Sequence, residues 1–294
     1  MGLLSTVATV ARGPRRELPG LVVAITGGAR GIGLATARAL ATEGCRVAIA
    51  DLDGDLASIE AAALPGGPHH ATALDVRDPA SVDAFVRGTE RALGPLDVLV
   101  NNAGVLITGD FAGQDHEAAR AMVEVNVLGV VAGCHAALER MLPRGRGQVV
   151  NVASAAARSP VGGEAVYSAT KHAVLGLGRS LRLELRGSGV TVTTILPGLV
   201  ETELAQGTTT TRGLPWIAPD EVAAAIVDVV RRPCAERAVP QRLGAILWAQ
   251  GLLPPVAAEP LARLFGADRV GLDTDARLRG AYHDRAQGPI EAGD

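Results

Sequence analysis

The chain has 294 residues, 48% hydrophobic and 20% charged, enough apolar material for one large core with a small appendage. A net charge of −3 and only two Trp, two Tyr and three Phe provide neither the basic footprint nor the stacking platforms of a nucleic-acid binder. Cys45, Cys134 and Cys234 are odd in number and form no C-x-x-C pair, which argues against a disulfide framework or zinc site and fits a reducing cytoplasm.

Residues 1–20 read as an N-terminal arm. The opening MGLLSTVATVA lacks the basic stretch of a secretory signal, and its match to M-G-x-x-x-[ST] is too short a pattern to imply acylation. From residue 21 to about 240, short Val- and Ile-rich runs alternate with helical patterns. The candidate strands are 21–27, 46–52, 71–76, 96–104, 147–154 and 190–198; the main helical stretches are 32–43, 79–93, 115–141 and 164–187. Strands buried on both faces and separated by crossover helices predict an α/β fold, a doubly wound parallel sheet of the Rossmann type. The strands run into polar or Gly-rich residues at their carboxyl ends, which outlines one cleft along that edge. Residues 241–294 break the alternation and are expected to be a C-terminal extension, on default a surface one. No apolar run reaches the ~18 residues of a membrane span. The nearest, 243–258, carries Gln250 and is broken by Pro254 and Pro255, which leaves peripheral membrane contact as one reading of it.

TGGARGIG, residues 26–33, places four glycines between a strand and a helix. Bare backbone there lets a diphosphate approach the helix N-terminus, with Gly27, Gly31 and Gly33 where a Cβ would obstruct. Asp51 ends the second strand, where a carboxylate can accept both ribose hydroxyls of an adenosine. A phosphate loop of nucleotide hydrolases is excluded, because it needs Gly-Lys-Ser/Thr and the single lysine, Lys171, follows Thr170. That lysine stands alone among 27 arginines, four residues after Tyr167. At i and i+4 the two share a helix face. A phenol must drop by roughly three pKa units, about 4 kcal/mol, to exchange protons at neutral pH. One ammonium at ~4 Å supplies about that much at an effective dielectric of 20. His69 and His70 point to opposite faces of a strand and gather no carboxylate, so no metal site is expected.

Together T-G-x-x-x-G-x-G, NNAG at 101–104, Ser154 after a strand, Tyr-x-x-x-Lys and PGLVET at 197–202 resemble the short-chain dehydrogenase/reductase family in its one-domain form. The resemblance covers about 21–240 and implies a seven-stranded sheet whose last strand is RAVP, 237–240. It also implies Tyr167 as general acid/base, Lys171 lowering its pKa and holding the nicotinamide ribose, Ser154 bonding the substrate oxygen, and Asn126 bending its helix to anchor a proton-relay water. For the cofactor it implies Gly27, Arg30 and Ile32 at the diphosphate, Asp51 at the ribose and Asp75 with Val76 at the adenine. Asn102, Ala103 and Gly104 would line mid-cleft, and Pro197, Val200 and Thr202 would hold the nicotinamide amide. Asp51 would repel a 2′-phosphate ~5 Å away by about 3 kcal/mol per unit charge, which favours NAD over NADP, although Arg30 keeps NADP open. The expected activity is NAD-dependent hydride transfer to or from a secondary alcohol or ketone. Leu204, Leu214 and Trp216 in the loop 199–218 suggest an apolar, sterol- or lipid-like one. The alternatives are an NADP-dependent ketoreductase of the same family and a dinucleotide-binding regulator without turnover. The resemblance also implies a homodimer or homotetramer, through helices near 115–141 and 164–187.

Overall fold

In the computed structural model, which describes residues 13–209, 215–264, 266–274 and 282, the β-branched runs become seven strands. These are β1 (Val22–Thr26), β2 (Arg46–Asp51), β3 (His70–Ala73), β4 (Val98–Asn101), β5 (Gly147–Val152), β6 (Val190–Pro197) and β7 (Glu236–Val239). All neighbours pair in parallel, in the order β3-β2-β1-β4-β5-β6-β7. The predicted strands 71–76 and 96–104 are shorter than expected. Past Ala73 and Asn101 the chain leaves the ladder and its polar residues form the lip of the cleft.

The helices are α1 (Gly31–Thr42), α2 (Gly54–Ala62), α3 (Pro79–Leu93), α4 (His116–Val123), α5 (Gly129–Met141), α6 (Ala165–Glu184), α7 (Pro219–Arg231), α8 (Gln241–Gln250) and α9 (Pro255–Leu264). Aspartates start several of them: Asp53 accepts from Leu56 N–H, and Asp78, followed by Pro79, accepts from Ala80 and Ser81 N–H. Because side chains alternate along a strand, the sheet feeds two cores. Val23 and Ile25 pack with Leu40, Ile226 and Val230 of α1 and α7. Val22 and Ala24 pack with Phe85, Val86 and Met141 of α3 and the end of α5.

The helix expected over 115–141 is interrupted by a π-helical turn, Glu124–Leu128, that contains Asn126. The continuous run His116–Arg144, rather than 243–258, is the stretch long and apolar enough to cross a membrane by length and composition, with mean hydropathy 1.6 and half of that window buried. Here Gly133, Cys134, Ala137 and Met141 spend that apolarity against the sheet, as a core helix.

The described parts of both terminal segments pack on the domain, which the sequence did not suggest. Gly13 and Arg16 N–H donate to the Pro233 and Arg231 carbonyls, and Leu18 is in the core, so the arm is docked from residue 13 onward. The extension is not a plain surface tail. Gly162 N–H donates to Ala267 O at 2.8 Å, and Gly271 N–H returns a bond to Gly162 O at 2.9 Å. A Cβ on Gly162 would lie 2.1 Å from the Asp268 carbonyl, so only glycine permits this approach.

Candidate active site

At the carboxyl ends of β1 and β4 the chain direction across the sheet reverses, opening a crevice at the switch point. Asn102 knits its two sides together. Its Nδ2 donates to Thr26 O (3.0 Å) and Gly27 O (2.8 Å), while the N–H groups of Asn102 and Ala103 donate to Thr26 Oγ1 at 3.1 Å. This close approach explains two glycines. A Cβ on Gly27 would meet Ala103 Cα at 2.9 Å, and one on Gly33 would meet Gly27 O at 2.0 Å. Gly31, at φ +49°, turns the chain into α1, whose first N–H groups receive no side-chain cap and whose first turn holds no acid. An uncapped, positive helix end beside a glycine cradle fits an anionic diphosphate.

A cavity of about 590 Å³ runs from this cradle along the strand ends. Its wall collects Gly27, Arg30, Gly31 and Ile32 from the turn, Asp51 from β2, and Asp75 and Val76 after β3. Asn102, Ala103 and Gly104 follow from β4, and Pro197, Val200 and Thr202 from β6. Ser154, Tyr167 and Lys171 line the same cavity. Two predicted residues do not: Gly33 is packed beneath the turn, and Asn126 sits fully buried behind Gly104. There Asn126 Oδ1 accepts from Val105 N–H (2.8 Å) and its Nδ2 donates to Val105 O (2.9 Å), so the π turn clamps the segment after β4. Asp51 accepts from Ala29 N–H (3.2 Å), Asp75 forms a forked pair with Arg77, and Arg30 is held by Asp53 (3.0 Å).

The family model for short chain dehydrogenases matches residues 21–213. The chain belongs to the short-chain dehydrogenase/reductase family. Its relatives include a ketoacyl reductase, HetN, of Nostoc sp., 32% identical, with 85% of this chain and 90% of the relative covered. A D-threitol dehydrogenase of Mycolicibacterium smegmatis is 39% identical over 72% of this chain and 86% of the relative. A crystal structure of a short-chain dehydrogenase/reductase from Burkholderia phymatum in complex with NAD shares the fold, with a TM-score of 0.73, 24% identity, and 86% and 98% of the two chains covered.

In this short-chain dehydrogenase/reductase Tyr167 and Lys171 are both buried, and burial dominates their electrostatics. The Tyr167 hydroxyl is pushed well above the usual phenol range by burial first, then by the Glu164 carboxylate, against a hydrogen bond with Ser154; Tyr282 adds to the rise. Burial likewise lowers Lys171, to about 8. Lys171 Nζ donates to Val152 O (3.2 Å) and stands 5.5 Å from the centre of the Tyr167 ring. The downward pull expected of Lys171 on Tyr167 is thus not the governing effect in the protein alone, because taking a phenolate out of water costs more than one ammonium at this separation returns. Asp75 is held below the usual carboxylate range: burial raises it, but the bonds and charge of Arg77 together outweigh that.

The end of the cavity away from the glycine cradle contains residues that sequence reasoning missed. Leu243, Ile246, Leu247 and Gln250 come from α8, Ala267 and Val270 from the segment after α9, and Tyr282 from further on, its hydroxyl accepting from Leu106 N–H at 3.2 Å. Glu164 lines it as well. From the loop 199–218, Leu204 reaches the wall, Trp216 does not, and Leu214 lies outside the described residues. Only the scarcity of tyrosine could have marked Tyr282, the second of two in the chain.

Proposed function

We propose that this protein is an NAD-dependent oxidoreductase that interconverts a secondary alcohol and its ketone, with an apolar substrate frame. The observation that carries this reading is the convergence of Ser154, Tyr167 and Lys171 on a cavity whose far end is the glycine cradle and Asp51. A nicotinamide dinucleotide held by these residues would supply the hydride acceptor or donor. Tyr167 Oη takes the proton of the substrate hydroxyl in oxidation and gives it back in reduction. The phenol stays protonated beside neutral reduced nicotinamide and ionises more readily beside the cationic oxidised ring, in keeping with the two directions of transfer. Ser154 would bond the substrate oxygen, Lys171 would add positive charge and hold the ribose, and Asn126 steadies the segment after β4 through Val105. Pro197, Val200 and Thr202, on the cavity wall, would hold the nicotinamide amide.

Two observations support NAD. Asp51 lines the cavity at the end of β2, where its charge would oppose a 2′-phosphate, and Arg30 on the same wall is already paired with Asp53. Since that pair is exposed and cheap to break, the NADP-dependent reading keeps Arg30 as its one support. Following nicotinamide absorbance with each cofactor over a panel of secondary alcohols and ketones tests the proposal. Turnover with NADP at least equal to that with NAD overturns the cofactor choice, and binding of NAD without turnover on any substrate favours a regulator. We propose self-association through α4 to α6, where Val123, Leu128 and Leu183 are exposed apolar residues, to be checked by light scattering.

A further inference from the structure

Three elements that shape the cavity meet at one buried hydroxyl. Thr170 lies within α6, between Tyr167 and Lys171 in the sequence, and its Oγ1 donates to Tyr167 O at 2.7 Å. A hydroxyl carries a single proton, so with that proton committed Oγ1 can only accept from a further neighbour. The neighbour is Asn126 of the π turn, whose Nδ2 donates to Thr170 Oγ1 at 3.2 Å. Asn126 also clamps Val105, so a continuous chain of bonds runs from the segment after β4, through the π turn, to α6. Helix propensity does not ask for threonine at this position: β-branching lowers it, and a hydroxyl bonded back to the preceding turn slightly destabilises a helix. What the position gains is the contact with Asn126.

The amide of Asn126 has one orientation that satisfies every partner. Exchanging its oxygen and nitrogen would set donor against donor at Val105 N–H, and acceptor against acceptor at Val105 O and at Thr170 Oγ1. Asn126 is fully buried, so no water replaces a lost partner. The use of this arrangement is visible at Gly104. A Cβ there would lie 3.2 Å from Asn126 Oδ1 and 3.4 Å from Lys171 Nζ, so the carboxamide and the ammonium rest against the same stretch of backbone. Gly104 and Val105 line the cavity together with Tyr167 and Lys171. We propose that Thr170 is a positioning residue for the reaction: acting through Asn126, it sets the spacing between the Gly104–Val105 wall and the Tyr167–Lys171 face of α6. Thr170 is buried behind that wall and is not part of the cavity lining, so it acts without touching a ligand. Without its hydroxyl one Asn126 proton is buried with no acceptor, and the carboxamide, held by Val105 alone, no longer ties wall to helix. A small shift between the two sides spoils the alignment of reacting groups more than it weakens binding.

This inference rests on the oxidoreductase reading, and one experiment separates the two. Wild type, Thr170→Val, Thr170→Ser, Asn126→Ala and the Thr170→Val/Asn126→Ala double variant are assayed with NAD on the best secondary alcohol of the panel above, with NAD affinity followed by calorimetry and stability by urea denaturation. Thr170→Val keeps the bulk of the side chain and loses only the hydroxyl. Its kcat should fall about tenfold while KM and NAD affinity stay within about twofold of wild type. Thr170→Ser, which keeps the hydroxyl, should recover kcat to within about threefold of wild type. Because Thr170 acts through Asn126, the double variant should match Asn126→Ala in kcat within about twofold. Should Thr170→Val not fold, Thr170→Ala, a better helix former, makes the same comparison. A variant that loses urea stability but keeps wild-type kcat, or effects that multiply in the double variant, would leave the hydroxyl a part of helix packing alone, which overturns the inference while the oxidoreductase reading stands. Failure of Thr170→Ser to recover kcat overturns it equally. Should wild type bind NAD but turn over no alcohol or ketone of the panel, the reading and the inference fall together.

Discussion

At the β1–β4 end of the cavity, Thr26, Gly27, Asn102 and Ala103 lock together through bonds of 2.8–3.1 Å between residues that directly follow strands. At the opposite end the wall is assembled from Glu164 before α6, Leu204 after β6, α8, and the segment carrying Ala267 and Val270. The glycine-cradle end is polar and set by the sheet. The substrate end is apolar, and beside it Trp248, Leu252 and Val256 stand exposed. The contrast teaches that one fold can keep a fixed hydride-transfer frame while its substrate wall is built from elements free to vary.

The comparison can be broken first at the residue both ends share. Tyr167→Phe should lower kcat about 1000-fold while leaving NAD affinity within a factor of two, since the phenyl ring keeps the packing and loses only the proton. Steady-state kinetics and calorimetry check this, and retention of full activity would remove Tyr167 from the chemistry. At the cofactor end, Gly33→Ala places a methyl 2.0 Å from Gly27 O and should cost about 3 kcal/mol, read as a lower urea midpoint together with lost NAD binding.

A smaller effect of opposite sign is expected at Lys171. Because burial holds this amine at about 8, below its ordinary 10.5, the unfolded chain binds the extra proton between those two pH values, and native stability rises across that window. Below pH 8 the buried charge is a standing cost. Lys171→Met should therefore stabilise the cofactor-free protein by about 2 kcal/mol at neutral pH, with the gain fading as pH climbs from 8 to 10.5. Urea denaturation at both ends of that range tests the sign, and a loss of stability at neutral pH would refute it. The smallest effect belongs to the substrate wall. Val270→Ala should cost about 1–2 kcal/mol and raise KM for bulky alcohols without changing NAD affinity, a split that distinguishes the two ends of the cavity.

Much of the cofactor end was legible because its information is local. The glycines at 27, 31 and 33, Asp51 and the NNAG run all sit within a few residues of a strand end, so a strand and its punctuation reveal them. Tyr167 and Lys171 were legible through helical spacing and through the rarity of both residue types. Local spacing also hid things. The π turn at Asn126 has the composition of ordinary helix, and α2 and α7 carried no motif to mark them. Glu164 reads as a routine polar residue ahead of a helix; only the approach of residues 267–271 to Gly162 and Gly163 buries it. The same contact turned an expected surface extension into a cavity wall.

What the sequence determined by itself was the alternation of strand and helix, the glycine turn and the Tyr-Lys pair, since each depends on neighbours within a turn or a strand. Tertiary structure alone decided the electrostatics and the substrate wall: whether Tyr167 and Lys171 are buried, and which distant segments face them. Desolvation depends on every atom that excludes water from a site, and those atoms come from segments about 100 residues apart along the chain.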